Sequence, residues 1–132
     1  MRASQYPAYH LRLTARDFAR FGWLMLNGGR WKTQQVIPAD WVKESTRPWT
    51  PEARKGIAYG YMWWVSENNR QYRTDVGPGA FSARGNGGQI LLVAPAHGIV
   101  VAHLNDREEN DKLERGQFAQ LLQLIFDAAP GR

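Results

Sequence analysis

The sequence reads as an α+β fold: an antiparallel β-sheet flanked by helices. Two stretches near opposite ends of the chain carry apolar residues at helical spacing. Between them lie several short apolar or aromatic runs divided by Gly, Pro and Asn, the pattern of strands joined by turns. The order is helix, helix, several antiparallel strands, terminal helix, which places a helix on one face of a meander.

The first helix starts at Thr14, a good N-cap, with Asp17 where a capping-box acid sits and Leu13 and Phe18 spaced as a hydrophobic staple. Phe18, Phe21, Gly22, Met25 and Leu26 form its apolar stripe, with Phe18 and Phe21 expected in the core. Arg16, Arg20 and Trp23 lie elsewhere around it. Asn27, Gly28 and Gly29 end it, because they tolerate the left-handed conformation. Residues 31–37 read as an extended connector. Pro38 opens a shorter second helix that runs to about Ser45. Residues 47–56 contain two prolines and read as a loop.

Residues 57–65 read as one aromatic strand, with Tyr59, Tyr61, Trp63 and Val65 on one side and Gly60, Met62 and Trp64 on the other. Neither side is polar, so both are expected to be covered. Residues 66–69 form a turn, 70–74 a returning strand and 75–79 a second loop. Residues 89–94 and 99–104 are apolar strands joined as a hairpin through Pro95-Ala96-His97-Gly98. Residues 105–110 are polar and leave the sheet. Asp111-Lys112-Leu113-Glu114 is a second capping-box pattern, and Phe118, Leu121, Leu122 and Ile125 give the stripe of a terminal helix that ends near Ala128, before Pro130.

The chain is organised around residues 81–95, where a small polar loop with three glycines in four positions runs into a buried strand. Glycine at that density exposes backbone, and backbone N–H groups at a strand end can hold an anion or a developing oxyanion.

The length of 132 residues suits one domain or part of a larger one. Net charge is +5, but no basic run exceeds Arg54-Lys55, so a nucleic-acid partner is not expected. With no cysteine, disulfides, thiolate metal sites and a cysteine nucleophile are excluded. His10, His97 and His103 are scattered and read as structural or surface residues; no metal or other cofactor is expected. No stretch approaches 18 apolar residues, so no helical membrane partner segment is expected. The first seven residues lack the apolar core of a signal peptide, and localisation stays open.

Four blocks in order carry a family resemblance. Leu13-Thr14-Ala15-Arg16-Asp17-Phe18-Ala19-Arg20-Phe21-Gly22 with Leu26-Asn27-Gly28-Gly29 is the first. Ile37-Pro38-Ala39-Asp40-Trp41-Val42, Tyr59-Gly60-Tyr61-Met62-Trp63-Trp64 and Gly85-Asn86-Gly87-Gly88-Gln89 with Pro95 follow. Together they resemble the penicillin-recognising serine hydrolases: class C β-lactamases, D-alanyl-D-alanine carboxypeptidases and related esterases and amide hydrolases. The resemblance runs from about Leu11 to Phe126. It implies the C-terminal portion of a β-lactamase-like (serine β-lactamase/transpeptidase) fold, with residues 1–132 as one partial domain.

In that family a Ser-x-x-Lys motif supplies the nucleophile, Tyr-x-Asn or Ser-x-Asn a base and a substrate-holding amide, and Lys-Thr-Gly or His-Thr-Gly an edge strand. Ser4, Ser45, Ser66 and Ser82 are followed three positions on by Pro7, Pro48, Asn69 and Gly85, so Ser-x-x-Lys is absent from this sequence, as is Tyr-x-Asn; the string Ser-x-Asn occurs once, as Ser66-Glu67-Asn68, among the residues read as a turn. The third motif falls on Ala83-Arg84-Gly85. The resemblance then implies a substrate-binding set of Arg84, Gly85, Asn86 and Gly87, with the backbone N–H of Asn86 as oxyanion donor and no catalytic side chain in the chain itself.

Each of these has a plainer reading. Arg84 either grips a substrate carboxylate or is solvated or structurally paired. Asn86 serves the oxyanion or a turn. Gln89 orients the loop or only begins a strand. Trp63 and Trp64 border a pocket or pack the core. Two function classes follow. One is the C-terminal part of a serine hydrolase acting on a small-molecule or peptide substrate, completed by an N-terminal segment and inactive alone. The other is a non-catalytic binding module on the same scaffold. An apolar sheet edge and face left open favour a homo-oligomer.

Overall fold

The computed structural model of the chain describes residues 12–54, 56–85, 87–105 and 115–129. Its first helix, α1 (Ala15–Leu26), begins at Thr14, whose hydroxyl accepts a hydrogen bond from the Asp17 N–H at 3.1 Å and donates to the Asp17 carboxylate at 2.7 Å. Arg20 donates to the same carboxylate, and these bonds hold the Asp17 carboxyl below the ordinary range, that from Thr14 most. Gly22 and Met25 are buried, with Phe18 and Leu26 packed beside them. Phe21 departs from the core expectation: it stacks on Trp63 at 6.1 Å and is 40% exposed. Leu13 is exposed as well.

After α1 come a small hairpin, β1 (Arg30–Trp31) and β2 (Gln34–Gln35), and helix α2 (Ala39–Ser45). The hairpin falls within the expected extended connector. Gly29 makes the approach possible. It has a φ of +81°, its carbonyl accepts from Val36 and Ile37, and a Cβ there would collide with the Ile37 carbonyl.

The main sheet has six strands, all antiparallel: β3 (Thr50–Arg54), β4 (Ile57–Tyr59), β5 (Trp64–Ser66), β8 (Phe81–Arg84), β9 (Ile90–Ala94) and β10 (Ile99–His103). Their spatial order is β10-β9-β8-β5-β4-β3. A separate hairpin pairs β6 (Arg70–Gln71) with β7 (Thr74–Asp75). Helix α3 (Arg115–Ala128) closes the described chain. The β9–β10 hairpin expected from the sequence is present, joined by a 3-10 turn over Pro95–His97 with Gly98 left-handed. The second capping-box pattern, residues 111–114, and the polar residues 106–110 lie outside the described residues.

Helices cover both faces. On one, α1 packs on β9 and β10 over a core of Met25, Val65, Phe81, Leu91 and Val93. On the other, Phe118 and Leu122 of α3 pack with Val76, Ala80 and Leu92. β9 is therefore apolar throughout, with residues 91–94 fully buried.

Three expectations need correction. Residues 50–54 form β3 rather than loop; an edge strand tolerates Pro51, which has no N–H to give, because its outer side has no ladder to complete. Residues 57–65 are not one strand. Gly60 lies so close to the carbonyls of Ser45 and Arg47 that no Cβ fits. Tyr61 N–H donates to Ser45 O at 2.8 Å, Gly60 N–H donates to Trp63 O, and Met62 has a φ of +68°. The chain turns there, and β4 pairs with β5. Residues 70–74 do not return along the sheet either. Tyr72 and Arg73, at φ +52° and +66°, form the two-residue turn between β6 and β7. Such turns ordinarily carry Asn or Gly, so no sequence signal marked it.

Candidate functional site

The two neighbours of β8 pair with it over unequal lengths. β5 pairs with it only at Val65↔Phe81 and Trp64↔Ser82, whereas β9 pairs along its whole length to Arg84↔Ile90. The turn at residues 60–63 takes the neighbouring chain away before it reaches Ala83. Ala83 and Arg84 thus pair with β9 and Gly85 bonds back to Gln89, whereas the β5 pairing ends at Ser82. The motif position expected on an edge strand lies on an interior strand with a local edge.

The loop beyond is held by its own side chains. Gly85 N–H donates to Gln89 O at 2.9 Å, closing the β8–β9 turn. Gln89 reaches across to residue 105: its amide NH2 donates to Asn105 O at 2.9 Å, and its amide oxygen accepts from Asn105 N–H at 2.8 Å. Asn105 in turn donates to Gly87 O at 3.1 Å, and His103 Nδ1 lies 3.1 Å from Gly88 O. Gly87 and Gly88 are both left-handed, with φ +90° and +93°. Gln89 therefore orients the loop, and the strand begins after it, at Ile90. Gly85 has no positive φ; a Cβ there would come 3.1 Å from Gln89 Cβ, so its glycine makes room for the Gln89 side chain. Asn86 lies outside the described residues.

Arg84 sits on the α3 face of the sheet. Its Nε donates to the buried Ser82 hydroxyl at 3.2 Å and its Nη2 approaches Gln71 Oε1 at 3.5 Å. The guanidinium stands 4.5 Å from the Tyr72 ring centre and 5.4 Å from that of Trp64. Tyr72 donates to Ser82 at 3.3 Å, and burial pushes its hydroxyl above the ordinary tyrosine range. Gln71 is buried and donates to Trp64 O. The arginine is thus set in an aromatic and amide frame. Trp63 is core, edge-on to Phe81, while Trp64 faces the Arg84 side with Tyr59 against it.

His97 stacks on Phe126 at 4.6 Å, and His103 meets Phe118 edge-on as well as the loop. Both are structural; His10 lies outside the described residues. No group of three or more His, Cys, Asp or Glu among the described residues is placed to hold a metal.

The unequally paired β8, the glycine loop beside it and the helix-covered antiparallel sheet fit one family, and the family model for β-lactamase matches residues 1–124. The chain belongs to the β-lactamase family. Among solved structures, one assigned as a 6-aminohexanoate-dimer hydrolase from Bacillus anthracis matches at 28% identity and a TM-score of 0.63, over 88% of this chain and 28% of that one. A penicillin-binding protein homolog from Caulobacter crescentus shares the fold at 22% identity and a TM-score of 0.51, over 66% of this chain and 24% of that one. This β-lactamase-family chain spans only about a quarter of the length of either structure.

Sequence reasoning missed Gln71, Tyr72, Ser82 and Asn105. Gln71 and Tyr72 reach the site through a turn with no turn residues, and Asn105 through a side chain paired with backbone. Ser82, a buried serine between Phe81 and Ala83, carries no signal of its own. The one available cue was Gln89 directly after the glycines, where a side chain that can both donate and accept suits a loop clasp.

Proposed function

We propose that this chain supplies the C-terminal part of a β-lactamase-family serine hydrolase. The intact protein hydrolyses an amide, ester or β-lactam through an acyl-enzyme, and residues 1–132 are one part of its domain. The observation that carries this reading is the ending of the β5 pairing at Ser82 while β9 pairs on to Arg84, beside a fixed glycine loop. Asn86, the residue after Gly85, donates its backbone N–H to the oxyanion, and the nucleophile's own N–H completes the pair. Arg84, Gly85 and Gly87 border the substrate. Tyr72 and Trp64 fix the Arg84 plane, so that it meets a planar carboxylate in one orientation. The match to a structure assigned as a 6-aminohexanoate-dimer hydrolase supports keeping an amide among the substrate classes.

The chain alone is inactive on this reading, because covalent catalysis needs an activated nucleophile with a base in reach and none of its four serines has that context. Incubation with a fluorophosphonate probe or a chromogenic cephalosporin is expected to give neither labelling nor turnover. Stoichiometric labelling of any serine overturns the assignment. The absence of Ser-x-x-Lys from these residues also favours a second reading, a non-catalytic binding module. A stable 132-residue product in cells, with no encoded segment carrying that motif, would select it.

A further inference from the structure

The β9–β10 ladder ends at His103↔Ile90. Just past it, a side chain continues the pairing. The Gln89 amide donates to Asn105 O at 2.9 Å and accepts from Asn105 N–H at 2.8 Å, the pair of bonds that a neighbouring strand would make with its backbone. The backbone of Gly87 and Gly88 is thereby released from the ladder, yet it is tied by other bonds. Asn105 Nδ2 donates to Gly87 O at 3.1 Å and lies 3.6 Å from where a Cβ on Gly88 would stand. His103 Nδ1 is 3.1 Å from Gly88 O, and because a carbonyl only accepts, that nitrogen carries the proton. Two successive carbonyls are therefore held toward β10. The peptide bonds are trans, so the N–H of each of these two units points the opposite way.

Glycine is what makes such ties necessary. Gly87 and Gly88 stand at φ +90° and +93°. A residue without a Cβ populates either sign of φ about as readily, so an untied peptide unit here turns over at little cost. A turned unit shows a carbonyl oxygen where an N–H stood. Beside a developing oxyanion that replaces attraction by repulsion.

We propose that Gln89, Asn105 and His103 are positioning residues that fix the polarity of the glycine loop. They keep its carbonyls turned to β10 and its N–H groups turned away from it. They act through the loop backbone and not on the substrate. The consequence for catalysis rests on the hydrolase reading; the hold on the loop does not.

Gln89→Glu tests this, because it keeps the shape and changes only the donor. An ionised carboxylate accepts from Asn105 N–H but sets its second oxygen against Asn105 O; the protonated acid both accepts and donates, and re-forms the clasp. Only the neutral form completes it, so the introduced carboxyl titrates above the ordinary glutamate range. The rescue is present at low pH and is lost as pH rises through that raised value. His103 titrates in both proteins, so the ratio of variant to unsubstituted protein isolates residue 89. In the full chain, relaxation at the Gly87 and Gly88 amides is expected to show a rigid loop, with an order parameter of about 0.85. In Gln89→Glu near neutral pH a second conformation appears, or the value drops below about 0.6, and acid restores the rigid loop. Asn105→Ala drops only the bond to Gly87 O and should loosen the loop at every pH. In the intact hydrolase Gln89→Glu should lower kcat roughly 100-fold near neutral pH, the scale of a misplacement of about 1 Å, and acid should reverse it. KM should change less than about twofold. A loop equally rigid in both variants overturns the proposal, as does a kcat loss that acid does not reverse, or an effect carried by KM alone. An unsubstituted intact protein without turnover overturns the hydrolase reading instead, and the relaxation data then decide the hold on the loop by themselves.

Discussion

Gly22 and Gly85 mark two regions that use glycine in different ways. Gly22 lies in the middle of α1, where glycine costs about 1 kcal/mol relative to alanine. It brings the helix down onto the sheet: a Cβ there would lie 2.5 Å from Val100 Cγ1 and 2.8 Å from Leu91 Cδ1. Gly85 ends a strand and is exposed, and a Cβ there would press on Gln89, whose amide clasps residue 105. One glycine lets apolar layers meet. The other lets a polar side chain pass and so holds a loop. Adding atoms at the first should damage stability, and at the second should damage the shape of the site.

The largest effect tests the first half of that comparison. Gly22→Val overfills the contact between α1 and the β9–β10 hairpin and should cost about 3 kcal/mol, read as a lowered urea midpoint. A change within experimental error would mean that the helix does not rest on Leu91 and Val100. The second half needs a family enzyme that carries both Ser-x-x-Lys and this loop. There Gly85→Val should lower kcat/KM roughly 100-fold, the scale of one lost oxyanion donor, whereas Asn86→Ala keeps its N–H and should cost at most about tenfold. A more damaging Asn86→Ala would give the Asn86 side chain a direct part and remove the backbone account.

The clasp itself is the next test. Gln89→Ala leaves the N–H and C=O of Asn105 without their side-chain partners and should cost about 2 kcal/mol, with faster hydrogen exchange at the Asn105 amide. Unchanged exchange there would show that something else fixes the loop. The smallest effect lies far from both glycines. Thr14→Ala removes the α1 cap and should cost about 1 kcal/mol. Asp17, bonded to Thr14 and Arg20, has a lowered carboxyl pKa, so its stabilising contribution is present above the ordinary carboxylate range and is lost as pH falls through the lowered value. The acid limb of a thermal-melt series should therefore flatten in the Thr14→Ala variant; an unchanged limb would assign the acid sensitivity elsewhere.

Local chemistry made much of this legible. Thr14 and Asn27 bracket α1 because caps depend on side chains adjacent in sequence. The β9–β10 hairpin was visible because β9 is apolar on both faces and Pro95 ends it. The failures share a cause: pairing partners distant in sequence. Residues 57–65 look continuous until the carbonyls of Ser45 and Arg47 occupy the space that a side chain at residue 60 would need. β3 looks like loop until a sheet edge makes Pro51 harmless. The site divides in the same way. Gly85, Gly87 and Arg84 announce themselves by type, but that Arg84 is framed by Tyr72 and Gln71 depends on a left-handed turn that Tyr and Arg rarely adopt.

The contact between α1 and the β9–β10 hairpin also sets an order of events during synthesis. Gly22 meets Leu91 and Val100, about 70 residues later in the chain. At ribosomal speeds of about 5–20 residues per second, the apolar stripe of α1 waits roughly 4–14 s before the strands that cover it have been made. Nascent chains stalled before residue 90 should leave α1 open to protease, and chains extended past residue 103 and clear of the ribosome should not. The nascent chain is therefore most exposed to capture by chaperones, or by its neighbours on the same message, while the residues between Leu26 and Ile90 are being translated.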